Sequence, residues 1–161
     1  TSRRNKMVTN NMLYQNFSNA LMQAKNYQSQ ISQKEFEMKL IDINSRYSSN
    51  NYYYNELQKQ KIELEILTLR NNRNNNIFNA IDYALELTQI EIRNNALYSM
   101  AYLAINSITS YLRIQKVSDL ILPFHLQSKL TRVDTILMRS NTSNTMLKSA
   151  ISELKNILHV F

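Results

Sequence analysis

Apolar residues recur every three or four positions through most of this 161-residue chain, the period of a helix with one buried face. Leu13, Phe17, Ala20, Ala24, Tyr27, Ile31, Met38 and Ile41 form one such stripe and predict a helix over about 10–46. Ser48-Ser49-Asn50-Asn51 is the strongest turn signal in the first half, so the chain is expected to reverse there. A second stripe opens with Leu57, Leu64 and Leu67. It continues through Ile77, Ile81, Ala84, Leu85, Thr88, Ile92, Leu97, Met100, Ala104 and Ile108. It predicts a helix over about 53–110, about 85 Å long if unbroken. Asn71-Asn72-Arg73-Asn74-Asn75-Asn76 lies in its middle. Asparagine lacks the obligatory breaking effect of proline, so the helix is expected to continue there, a dividing loop being the other reading.

Shorter elements follow. Leu112, Ile114, Val117, Leu120, Ile121 and Phe124 predict a short amphipathic turn and helix. Pro123 has no backbone N–H and restricts the residue before it, so it is expected at a helix boundary or a bend. Leu126, Leu130, Val133, Ile136 and Leu137 predict a helix over about 126–139. Ser140-Asn141-Thr142-Ser143-Asn144 is expected to be a linker and cap, and Leu147, Ile151, Leu154 and Leu158 share one face of a last helix. The expected fold is all-α: a long helical hairpin followed by three short helices, in a closed or an open extended conformation. The expected organisation is a basic segment over 1–10, a helical core over 11–139, and a linker with a packing helix over 140–161.

Composition narrows the fold class further. The chain has no glycine, cysteine or tryptophan and one proline. Without glycine there is no G-x-G-x-x-G or Walker loop, and tight left-handed turns lose their usual residue. Without cysteine there are no disulfides or thiolate metal sites, which fits an intracellular protein. No secretory leader or bilayer-spanning run is expected. The 22 asparagines are read as codon drift rather than a prion-like tract, because the helical period runs through them.

The net charge is +7. It is concentrated at the two ends of the sequence, with +4 over 1–50, −1 over 51–110 and +4 over 111–161. A basic surface favours anionic partners such as phospholipid headgroups or nucleic acid. Arg3, Arg4 and Lys6 are the expected membrane contacts, each basic group near an anionic surface contributing about 1 kcal/mol. The acidic positions Glu56, Glu63, Glu65, Asp82, Glu86 and Glu91 are candidates to meet a basic face of another copy. Tyr52-Tyr53-Tyr54 marks the expected hairpin tip. Aromatic and basic residues together can bind single-stranded nucleic acid, but here they follow no nucleic-acid motif. His125 and His159 have no acidic residue at ligand spacing. Glu35 with Glu37, and Glu63 with Glu65, are two apart and cannot share a helix face. No enzyme chemistry, metal or cofactor is expected.

The layout resembles the ESCRT-III family, the charged multivesicular body proteins. LYQNFSNALMQAKNYQSQI from Leu13 sits where that family has its first helix, and SSNNYYY sits at its hairpin. MAYLAINSITSYLRIQKVSDLILPF from Met100 is similar to the end of its second helix and its third. The resemblance covers about 12–137. The family normally lacks a proline where Pro123 falls, and its acidic tail and microtubule-interacting-and-transport recruitment motif are not found in these residues.

The resemblance implies a non-enzymatic membrane-remodelling subunit that polymerises into filaments or helical coats. Such a subunit would be cytoplasmic and peripheral on endosomal or other membranes. The implied partners are further copies of the chain, other subunits of the family, an anionic membrane and a disassembly AAA ATPase. Leu112, Val117, Leu120, Ile121 and Phe124 become candidates for packing between copies, as do Leu147, Ile151 and Leu154 in a fifth helix. The alternatives are an elongated structural coiled-coil or helical-bundle protein and, more remotely, a basic nucleic-acid-binding helical protein.

Overall fold

The computed structural model describes residues 2–47, 51–94, 100–115, 117, 120–139 and 144–161, without the side chains of residues 2–8. Among the described residues the fold is all-α, with five helices: α1 Ser2–Tyr47, α2 Tyr52–Asn94, α3 Met100–Gln115, α4 Phe124–Arg139 and α5 Thr145–Leu158. Helix α1 begins well before the expected start and includes the basic segment. Helix α2 runs unbroken through Asn71–Asn76. Asn76 Nδ2 donates to the Asn72 carbonyl at 2.9 Å, a local bond within the helix rather than an exit from it.

The long second helix ends earlier than its periodicity implied. It is described to Asn94, a separate helix is described from Met100, and Leu97 lies outside the described residues. The buried Glu91 carboxylate accepts the Ala101 N–H, with both oxygens 3.4 Å away. In a straight helix ten residues span about 15 Å, so Glu91 and Ala101 do not lie along one straight helix. The carboxylate takes up one of the N–H groups that the start of α3 leaves without a helical partner.

The short helix expected over 112–124 is also replaced. Leu112 belongs to the end of α3, while residues 120–123 are non-helical. Pro123 immediately precedes α4, and its carbonyl accepts the N–H groups of Leu126 and Gln127 at 3.0 Å. Proline suits this place because a helix start needs no N–H from it. Helix α5 is closed at both ends. Asn144 Oδ1 accepts from Leu147 N at 3.3 Å, and His159 takes a left-handed conformation at φ 55°. Glycine usually fills that position, and a chain without glycine uses histidine.

The chain divides into two compact units. The first comprises residues 1–21 and 77–161. Helix α5 packs on α3 and α4, and the apolar core of this unit includes Phe17, Ile81, Leu85, Ile105, Leu130 and Ile151. Ion pairs tie its surface: Lys155 to Asp134 at 3.0 Å, and Arg113 to Glu153.

The second unit, residues 22–76, is a pair of antiparallel helix segments. Its seam is thin. Ile31, Ile62 and Ile66 are buried, and Met38, Ile41 and Leu69 are partly buried against them. Polar bonds set the register along that seam. Asn55 donates to Ser45 Oγ at 2.8 Å, Lys59 pairs with Asp42 at 2.7 Å, and Lys34 pairs with Glu65 at 2.8 Å. Farther from the tip, Arg73 donates to Gln28 Oε1 at 2.8 Å. Residues 48–50 of the expected turn lie outside the described residues.

The seam uses a different face of α2 from the one its leucines suggested. Leu57, Leu64 and Leu67 are exposed, and Ile62, Ile66 and Leu69 face α1. The phase of an unbroken helix explains this. At 100° per residue Ile66, Leu69, Arg73 and Ile77 lie within about 60° of Ile62, whereas Leu57, Leu64 and Leu67 lie about 140–220° from it.

Candidate functional site

The expected contact residues fall into three groups. Arg3, Arg4 and Lys6 lie in the first turns of α1, with side chains outside the description. Leu112, Leu147, Ile151 and Leu154 are buried in the chain's own first unit, where α3 and α5 pack together. Val117 and Leu120 are half-buried, while Ile121 and Phe124 are 83% and 82% exposed at the approach to α4. Leucine and isoleucine spacing identified these positions as apolar, but it did not distinguish an internal face from an external one.

Among the titratable groups, Lys129 of α4 reaches both Asp82 and Glu86 of α2. Burial lowers its pKa, but its hydrogen bonds to the two carboxylates outweigh this, and the pKa is raised above the ordinary lysine value. A raised lysine pKa stabilises the fold fully below the unfolded value of about 10.4, and the contribution is lost as pH climbs through the higher folded value. The stability gap between the wild-type chain and Lys129→Met is therefore expected to be widest near neutral pH. It should shrink above about pH 10.4 in urea titrations, and a gap independent of pH would contradict this. In the second unit the hydrogen bond from Lys34 holds the Glu65 carboxyl below its usual range, despite some desolvation. The Lys34 and Lys59 pKa values are raised, led by hydrogen bonds to Glu65 and Asp42 respectively.

His125 is exposed in the first turn of α4, and His159 caps α5. Glu91, one of the acidic residues considered for contact with another copy, is buried and serves the start of α3 instead. Asp82, Glu86 and Glu65 are likewise held within their own units. Glu63 is exposed, and Glu56 is half-buried with its carboxylate 3.6 Å from Lys59 of the same helix.

The most unusual surface belongs to that second unit. Phe36, Leu40, Ile43 and Tyr47 of α1 are exposed, as are Tyr53, Leu57, Leu64 and Leu67 of α2. The three tyrosines at the tip are all exposed, and the Tyr52 and Tyr53 rings meet edge-on at 5.6 Å. So much outward apolar surface beside so thin a seam makes this the candidate interaction surface. The leucines were visible in the sequence but were placed on the wrong side. The α1 set was missed, although its steps of four, three and four residues were available.

Comparison with known protein families, curated proteins and solved structures finds no match to this chain. The surface itself therefore carries the functional reading. Among the described residues no helix is long and apolar enough to cross a membrane.

Proposed function

We propose that this chain is a non-enzymatic structural protein that acts by associating through its helix faces. The exposed apolar residues on α1 and α2 within 22–76 carry this reading. Their own seam buries few large side chains, and association would remove the outward set from water. Apolar area contributes about 25 cal/mol for each Å² buried. Sedimentation velocity over a concentration series is the test. The expected result is mass rising with concentration, and a monomer throughout would remove the reading.

A second reading, favoured by the net charge of +7 and by the basic start of α1, is a coat that assembles on and remodels anionic membranes, with a disassembly ATPase as a possible partner class. Arg3, Arg4 and Lys6 would supply the adhesion, and repetition along an assembly would multiply weak single contacts. Ile121 and Phe124 would then be available for packing between copies. Vesicles rich in phosphatidylserine should pellet with the protein and deform in electron micrographs. Equal recovery with neutral vesicles would reject this version and leave the first standing.

A further inference from the structure

The two exposed stripes of the second unit have the spacing of coiled-coil seams. On α1, Phe36, Leu40, Ile43 and Tyr47 occupy successive d, a, d and a positions. On α2, Tyr53, Leu57, Leu64 and Leu67 occupy d, a, a and d, with Gln60 at the d between Leu57 and Leu64. At 100° per residue the α1 set lies about 120–180° around the helix from the buried Ile31, and the α2 set about 140–220° from the buried Ile62. Each helix thus has one apolar face inward and another outward. The internal pairs Ser45–Asn55, Asp42–Lys59 and Lys34–Glu65 also put the outward stripes at matching heights. Ile43 is level with Leu57, and Phe36 is level with Leu64.

We propose that a second copy of this chain docks edge to edge, its α2 outer stripe antiparallel on the α1 outer stripe of the first. Charge selects this pairing. In antiparallel coiled coils, g positions face g and e positions face e. The α1 edge has Lys39 and Arg46 at g and Glu37 at e, and the α2 edge has Glu56 and Glu63 at g and Lys61 at e. Matching heights bring Lys39 to Glu63, Arg46 to Glu56 and Glu37 to Lys61, which are three pairs of opposite sign. Pairing α1 with another α1 would instead set Lys39 against Arg46, and pairing α2 with another α2 would set Glu56 against Glu63. The docked contact repeats the internal seam, where Lys34 meets Glu65 and Lys59 meets Asp42. It joins two different faces, so every copy keeps one free edge and further copies can add.

This inference rests on the self-association proposed above, and the experiment separates the two. Sedimentation velocity of the full chain at low salt compares wild type with Lys39→Glu/Arg46→Glu and with Glu56→Lys/Glu63→Lys. Circular dichroism checks that each variant is folded. Each variant alone should associate about tenfold more weakly or worse, because two attractive contacts become repulsive. Mixing the two variants should restore association, since each then meets edges of opposite sign. Leu64→Glu, at an exposed position, should also block assembly; mixing it with Glu56→Lys/Glu63→Lys should not restore association, and mixing it with Lys39→Glu/Arg46→Glu should stop at a one-to-one pair. Wild-type association with unaffected variants, or without rescue in the mixture, overturns this docking mode alone. A wild-type chain that stays monomeric overturns both proposals.

Discussion

Ile151→Ala should lower the unfolding free energy by about 3 kcal/mol, because it empties a fully enclosed site. Ile151 is 0% exposed, on the face of α5 that packs against α3 and α4. Urea unfolding followed by circular dichroism measures the loss. Ile121→Ala is the matched comparison, since Ile121 is 83% exposed and its truncation should change stability by less than about 0.5 kcal/mol. The contrast decides what the α5 isoleucine does. A residue used only between copies would leave dilute, monomeric protein as stable as before and would weaken assembly instead. Equal and small effects for the two substitutions would show that α5 does not close the first unit.

Asn75→Pro should be comparably severe, at about 3 kcal/mol or more. Asn75 is exposed, so no packing is lost. The whole penalty comes from the backbone: proline removes the bond to the carbonyl of Asn71 and its ring strikes that carbonyl. Asn75→Ala is the control. It should raise stability by about 0.5 kcal/mol, because alanine favours the helix more than asparagine does. A loop dividing α2 would accept the proline with little change. Chemical denaturation of the two variants therefore tests whether the asparagine run is helix in solution.

Continuity through Asn71–Asn76 was legible because no residue there forbids a helix. The α1 stripe from Leu13 to Ile41 was legible for a related reason. Its apolar positions keep one phase, and all of them are buried or half-buried. The division between α2 and α3 was not legible. The sequence between them contains neither glycine nor proline, and the Glu91 bond to Ala101 depends on residues brought together by the fold. Pro123 announced a boundary correctly, but the apolar residues before it implied a helix where the chain is irregular. Between Leu57 and Leu69, α2 is apolar on two faces, so periodicity alone could not choose the inner one. The choice came from the phase imposed by Arg73 and Ile77. The α2 half of the candidate site was misplaced for the same reason: an apolar stripe was taken to be an inward stripe.

In the proposed docking, the unlike outer edges of the second unit would give growth a direction. A copy with only its α2 edge spoiled would still join through α1, and the next arrival would find nothing to grip. Small amounts of such a copy would shorten assemblies far out of proportion to their abundance. Length would then be set by the ratio of intact to one-sided chains, with no separate ruler required.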